Sequence, residues 1–230
     1  PFIKHITLGL PWIILKAGVS LDGKLNYQRG SSGWITGEET GREVHGLRDS
    51  VDAILIGSRT LAIDNPSLTT RLDGRRGKDP VRIVLDTHLA APLSSKIFHL
   101  ESEAKTIVFC STDIPSAQLA PYQDLGVKVF QVATDHSGLV LSQVLEKLGQ
   151  NDICSVLVEG GATIHGAFLQ KRLIDYAHIF YAPIFAGDQG VSLLEGIGVA
   201  ARESAPYLRG VRYKRVGEDL MVSGRLAYQS

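Results

Sequence analysis

Short apolar runs rich in β-branched residues recur along the chain, most without the strict alternation of a half-exposed strand. Such runs fit strands covered on both faces. Strands are expected at 12–18 (WIILKAG), 51–57 (VDAILIG), 81–86 (VRIVLD), 105–110 (KTIVFC), 127–132 (VKVFQV), 154–159 (CSVLVE), 176–185 (YAHIFYAPIF), 208–216 and 220–228. Helical periodicity is expected at 37–49, where Thr36 and Glu39 have the spacing of a capping box, and at 139–149 and 162–172. Shorter helices are expected to start near Arg59 and Ser116. Between residues 51 and 172 strands and helices alternate, which implies crossovers and a mainly parallel sheet. The last strands read differently, as an antiparallel hairpin around "VGEDL". Pro183 inside the run 176–185 suggests a sheet edge or a bulge. The pattern is that of a single α/β domain with a mixed sheet.

Length and composition narrow this only slightly. The 230 residues suffice for one large α/β domain or two small ones. Lys plus Arg and Asp plus Glu both number 24, so the balance gives no reason to expect nucleic acid or an anionic membrane as partner. Cys110 and Cys154 lie in predicted strands and read as reduced, buried thiols. No apolar run approaches the ~20 residues that cross a bilayer, and "PWIILKAGV" is too short for a signal peptide. A cytoplasmic protein is expected.

Three segments place polar groups at strand ends, where open α/β sheets bind ligands. In "LKAGVSLDGK" Lys16 sits within an apolar strand, where it must snorkel, pair or serve a ligand, and Asp22-Gly23 signals a turn. In "IGSRTLAIDNPSLTTR" Gly57 closes a strand and Ser58-Arg59-Thr60 opens a helix whose first N–H groups suit a phosphate. Asp64, Asn65 and Pro66 end that helix, and Arg71 adds a cation; a plain helix stop and a solvated arginine explain the same residues. In "SVLVEGGATIHGAFL" a strand stops at Glu159 and restarts, after two glycines, as a helix whose positive end points back at the turn. Glu159 has a plainer role open to it, capping that helix, and His165 reads as a surface or capping residue. The turn is not G-x-G-x-x-G, and Walker A, H-E-x-x-H and G-x-S-x-G are absent. The histidines lack metal-ligand spacing, so no metal site is expected. Residue patterns alone lead to an α/β enzyme with an anionic, phosphate-bearing ligand.

Taken in order, "LKAGVSLDGKLN", "GSSGWITGEETGREVHGLRDSVDAILIGSRTLAIDNPSLTTR", "PVRIVLD" and "VLVEGGATIHGAFL" resemble the reductase domain of the bifunctional deaminase/reductase of riboflavin biosynthesis. The likeness runs from about Leu10 to the last strands. It implies a dihydrofolate-reductase-like three-layer fold over residues 11–230, with Gly160-Gly161 as the Gly-Gly turn and Gly57–Thr60 as the strand–G-x-x-T–helix unit. Residues 1–10 then look like a linker from an upstream zinc deaminase domain, of whose P-C-x-x-C motif this chain contains no copy.

The resemblance implies NADPH-dependent reduction of 5-amino-6-(5-phosphoribosylamino)uracil to the ribitylamino form, by a homodimer. Carried over by position, the cofactor contacts are Gly18, Trp34, Thr60, Asp64 and Gly161, Ala162, Thr163, Ile164, His165, Gly166 and Ala167. The substrate contacts are Ser32, Arg48, Leu68, Arg71 and Glu159, with Lys16 and Glu159 as the catalytic pair. Arg48 and Arg71 suit the ribose phosphate, because a guanidinium fork matches phosphate oxygens. Arg59, or a Ser/Thr after the strand ending at Cys110, suits the 2′-phosphate of NADPH. Three rivals stand beside this reading. They are the reductase of the not-yet-deaminated 2,5-diamino-6-ribosylamino-pyrimidinone 5′-phosphate, a dihydrofolate reductase, and a non-catalytic nucleotide-binding module.

Overall fold

The apolar runs become strands and the periodic stretches become helices in a computed structural model that describes residues 1–229. The helices are α1 (Phe2–Leu8), α2 (Glu38–Asp49), α3 (Ser58–Asp64), α4 (Ser116–Asp124), α5 (Leu141–Gly149) and α6 (Ala162–Gln170). The first strands are β1 (Trp12–Ser20), β2 (Ala53–Gly57), β3 (Val81–Leu85), β4 (Thr106–Ser111) and β5 (Lys128–Val132). Two short strands follow, β6 (Thr134–Asp135) and β7 (Gly138–Leu139), then β8 (Ser155–Val158), β9 (Tyr176–Ala182), β10 (Tyr207–Val216) and β11 (Asp219–Ala227). This is the expected mixed α/β class, mainly parallel with antiparallel C-terminal strands. Contacts group the stretch expected as one domain into two compact units, Pro1–Trp12 with His45–Leu157, and Ile13–Val44 with Val158 onward.

In the first unit β2, β3, β4 and β5 pair in parallel, with β8 next to β2. Every residue of β2, β4 and β8 is buried, which is why their sequences are apolar runs rather than alternations. Ile54, Ile56, Leu61, Leu68, Val84, Phe98, Val108 and Tyr122 belong to one core cluster. Phe98 and Tyr122 meet edge to face at 5.7 Å, and the Tyr122 hydroxyl donates to the carbonyls of Leu89 and Ala91 at 3.1 and 2.6 Å. That satisfies a buried hydroxyl and pins the loop after β3. Residues 2–8, within the expected linker, form helix α1.

Both thiols are unpaired. Burial pushes the Cys110 thiol up to about 11, with the nearby Asp86 carboxylate adding to the shift. Desolvation also raises Cys154, which is half-buried and precedes β8 rather than lying in a strand.

In the second unit β9 lies between β1, its parallel neighbour, and β11, its antiparallel one, with β10 outside β11. Pro183 therefore marks neither an edge nor a bulge of β9. The strand stops at Ala182, one residue earlier, because proline has no N–H to give the ladder. The capping box also gives way to a longer-range solution. Helix α2 begins at Glu38, too late for Thr36 to be its cap, and Asp219 Oδ2 accepts from Gly37 N–H (2.8 Å) and Thr40 Oγ1 (2.6 Å).

The segment after β9 has little regular structure, yet it is fastened. Leu21 N–H donates to Ile184 O, Leu25 N–H to Val191 O and Leu193 N–H to Gly23 O. Asp22, expected only as a turn residue, accepts from Ser20 Oγ and from the amides of Ala186 and Gly187 at 2.5, 3.0 and 2.8 Å. The Ser20 hydroxyl, then those amides, hold its carboxyl down at about 2. No helix among the described residues is long and apolar enough to cross a membrane.

Candidate active site

The alternation of β1 puts Ile14, Lys16 and Gly18 on one, less buried face and Leu15, Ala17 and Val19 on the other. Lys16 pairs in register with His178 of β9, which in turn lies opposite Ser223 of β11, so one row across this sheet is polar. Lys16 Nζ lies 3.8 Å from Glu159 Oε2, with side-chain exposures of only 13% and 8%. That distance is an ion pair rather than a hydrogen bond. Attraction across it is about 4 kcal/mol at an effective dielectric near 20, whereas desolvation costs several kcal/mol for each ion. Stability alone is a poor reason to keep these two charges here.

Glu159 follows directly on β8, one residue beyond the last position of the strand expected to include it, and the chain then turns at Gly161 with φ 55° and ψ 155°. That combination is open almost only to glycine. The first intrahelical bond of α6 runs from His165 N–H to Gly161 O, so the amides of Ala162, Thr163 and Ile164 precede it and point out of the helix start. Glu195 comes close to this start: its amide donates to Ala162 O and its Oε2 accepts from Thr163 Oγ1 at 3.0 Å. Arg29 binds the other oxygen, Oε1, and offsets the acidic charge. An anion arriving at the helix start therefore meets free-facing amides beside a neutralised carboxylate, which fits a pyrophosphate.

His165 corrects the surface reading. It is 1% exposed, with Nδ1 3.3 Å from Leu193 O and Nε2 buried without a hydrogen-bond partner. Since only a carbonyl faces Nδ1, that nitrogen carries the proton. Burial pushes its pKa down to about 4, so the ring is neutral near neutral pH. Gly166 is also packed away: a Cβ there would lie 1.8 Å from Glu195 O. Of the residues expected along 161–167, the turn and first amides face outward, and His165 and Gly166 form the support behind them.

Elsewhere in this unit Gly18 faces Thr36, whose Cγ2 would lie 2.9 Å from an added Cβ. Ser32 is exposed. Trp34 is 63% exposed, with its indole laid on Gly41 of α2, where an added Cβ would meet Cζ3 at 3.1 Å.

The first unit holds the expected arginines. Arg48 Nη1 donates to Thr69 O at 3.2 Å, and Arg71 lies against His45. The loop that brings them together contains Leu68 at φ 53°, an uncommon conformation for a residue with a large side chain. Leu68 itself is 3% exposed and part of the core cluster, so only its backbone is placed to meet a ligand. Thr60 lies half-buried in α3, Asp64 is exposed at its last turn, and Arg59 is exposed at its start. Ser111, at the end of β4, donates to Asp113 Oδ2 at 3.1 Å and accepts from Asp113 N–H, which leaves Arg59 the better partner for an added phosphate. Glu195, Arg29, His45 and Asp22 were missed because each acts through a partner distant in sequence. No group of three or more metal-ligating side chains occurs among the described residues.

The family model of the RibD C-terminal domain matches residues 11–222. RibD of Bacillus amyloliquefaciens is 36% identical over 223 residues, which cover 96% of this chain and 59% of that protein. The chain thus spans about three fifths of that relative's length. The 2,5-diamino-6-ribosylamino-4(3H)-pyrimidinone 5′-phosphate reductase of Methanothermobacter thermautotrophicus is 34% identical over 214 residues, covering 92% of this chain and 96% of the relative. Among solved structures, Acinetobacter baumannii RibD superposes with a TM-score of 0.83 at 27% identity, over 98% of this chain and 61% of that one. The match spans both clusters described above and both units, and the chain belongs to the RibD C-terminal domain family.

Proposed function

We propose that this chain is the NADPH-dependent reductase that converts 5-amino-6-(5-phosphoribosylamino)uracil to its ribitylamino form. The observation that carries the reading is the buried Lys16–Glu159 pair set immediately before the glycine turn and open start of α6. A nucleotide-binding module has no use for two desolvated charges at that place, and a reductase does. The relatives named as pyrimidinone phosphate reductases support the same chemistry.

The reduced nicotinamide, when bound, supplies the hydride for the sugar C1. The amides of Ala162, Thr163 and Ile164 and the turn at Gly161 hold the pyrophosphate. Thr60 and Asp64 contact the remainder of the cofactor together with Gly18 and Trp34, and Arg59 takes the 2′-phosphate. Arg48 and Arg71 bind the ribose phosphate, and Ser32 and the backbone at Leu68 border the substrate. Glu159 accepts hydrogen bonds from the ribose hydroxyls or pyrimidine N–H groups, and Lys16 orients it while the furanose opens. The C1–ring-oxygen bond breaks, the amine N–H proton passes to that oxygen, and the resulting imine would take the hydride at C1 and a proton at nitrogen. The protein's share is mostly alignment.

A cytoplasmic homodimer and an upstream zinc deaminase domain in the intact protein complete the proposal. The exposed β10 edge supports the first, and the greater length of the RibD relatives the second. The test follows nicotinamide absorbance with the uracil phosphate, its 2,5-diamino counterpart and dihydrofolate as separate substrates. Oxidation with the uracil compound in clear preference is expected. Equal or faster turnover of the diamino compound would transfer the assignment to that substrate, and no oxidation with any would end the enzymatic reading.

A further inference from the structure

As a mere filler of the space behind α6, His165 is a poor choice of residue. It is 1% exposed, and among the described residues its Nε2 has no hydrogen-bond partner. A buried acceptor left unpaired is destabilising, and leucine or methionine would occupy the site without that penalty. The bond the ring does make runs from Nδ1–H to Leu193 O at 3.3 Å. The donor at Nδ1, rather than the bulk of the ring, accounts for a histidine here.

Leu193 is held from two sides at once. Its N–H donates to Gly23 O at 3.0 Å, and its O accepts from His165. Towards the loop after β1, Leu25 N–H donates to Val191 O at 2.8 Å and Val191 N–H to Asn26 Oδ1 at 3.0 Å. Lys24 and Ser192 pair between them in antiparallel register, so a short ladder fastens 191–193 to that loop. Towards α6, Glu195 N–H donates to Ala162 O at 3.1 Å and Glu195 Oε2 accepts from Thr163 Oγ1 at 3.0 Å. Glu195 O packs so tightly on the helix that only a glycine fits at 166. Residues 191–195 are therefore a brace between the loop of Asp22 and the first turn of α6. His165 ties the middle of that brace to the helix.

We propose that His165 is a positioning residue for the cofactor's pyrophosphate: by donating to Leu193 O it holds residues 191–195 against α6 and so fixes the direction of the open amides of Ala162, Thr163 and Ile164. This rests on the reading that those amides take the pyrophosphate. The ring acts through the brace and not on the ligand. Amides already held in direction bind an anion without first losing freedom, which is the gain from preorganisation. The neutral ring suits the role, since a proton added at Nε2 would find nothing to bond. The coupling runs both ways. If the brace steadies the amides, an anion on the amides steadies the brace.

The test compares His165→Leu, His165→Asn and Gly161→Asp with the native protein, after thermal unfolding has checked that each variant folds. It measures Kd for NADPH, kcat at saturating cofactor, and the inhibition constant of adenosine 2′-monophosphate, which lacks the pyrophosphate. His165→Leu should weaken NADPH roughly three- to tenfold, the size of one neutral hydrogen bond, with kcat within about twofold. The inhibition constant of the adenosine phosphate should not move. Asn, whose Nδ2 donates from the place of Nδ1, should recover most of the loss. Equal weakening of NADPH and the fragment, or an Asn variant no better than Leu, would overturn the role of His165. Gly161→Asp separates the two levels. If it leaves NADPH bound to a folded chain, the pyrophosphate reading itself falls; if it abolishes binding while His165→Leu binds as the native protein does, only the His165 assignment falls. Should His165→Leu fail to fold, the native protein carries the decision. Saturating NADPH should slow amide exchange at Leu193 by about threefold or more, and an unchanged rate would overturn the brace.

Discussion

The two charged clusters solve opposite problems. Lys16 and Glu159 are almost closed to solvent, paired across 3.8 Å, and grow from a strand and a strand end. Arg71 is exposed and His45 half-buried; they sit on a loop and a helix and meet at 3.2–3.3 Å. Burial of the first pair raises the strength of each electrostatic interaction and fixes geometry, which suits bond-making. Exposure of the second lets a highly charged group arrive without a large desolvation cost, which suits capture. The proposed function gives chemistry to the buried pair and affinity to the exposed side, and each half of that proposal can be attacked separately.

The largest effect is expected at the turn behind the buried pair. Gly161→Asp adds a side chain at φ 55°, ψ 155° and a negative charge beside the open amides of α6. NADPH binding, followed by fluorescence titration, should become unmeasurable while circular dichroism still shows a folded chain. Gly161→Ala, which adds the Cβ alone, should lose less. Retained affinity in a folded Asp variant would remove the helix start from the cofactor site.

Next comes the pair itself. Glu159→Gln keeps the shape and most capping ability and removes the charge. Turnover should drop on the order of a hundredfold with cofactor affinity unchanged, because the loss falls in the transition state. A variant keeping more than half of native turnover would make Glu159 a cap and erase the distinction drawn here.

A smaller effect belongs to the exposed side. Arg59→Ala should reduce the preference for NADPH over NADH by roughly ten- to a hundredfold, the value of one charge-assisted contact. Steady-state constants with both cofactors decide it, and an unchanged ratio would move the 2′-phosphate elsewhere.

The smallest is a pH effect at the fastened loop. The Asp22 carboxyl is held at about 2 against its ordinary 3.8, so its contribution is complete above pH 3.8 and disappears as pH falls through 2. Amide exchange at Ala186 and Gly187, corrected for intrinsic rates, should stay slow at pH 3.5 and accelerate toward pH 2. In Asp22→Asn that change should vanish, and persistence of it would show that another group governs the loop.

These contrasts also explain what the sequence discloses. β2, β4 and β8 were legible because burial on both faces forces an unbroken apolar run, and the hairpin β10–β11 because Gly217 at φ 61° turns it. Lys16, Glu159 and Gly161 stood out because each breaks a local rule. His165 did not: a histidine in a nine-residue helix looks alike whether it faces water or a carbonyl 28 residues away. The Asp219 cap on α2 bridges about 180 residues, and the clasp of Asp22 about 164, so neither leaves a local pattern. Pro183 misled because its effect is read one residue earlier, where β9 ends. Long-range polar contacts are where sequence periodicity has nothing to report.

The two cysteines have a practical consequence. With Cys110 raised to about 11 inside the sheet and Cys154 raised more mildly at its margin, almost no thiolate exists at neutral pH while the chain is closed. A maleimide or an aromatic disulfide reagent should therefore label Cys154 first and leave Cys110 untouched until β4 opens. Counting labelled Cys110 against time turns the rare openings of the parallel sheet into a clock, with no engineered probe and no change to either charged cluster.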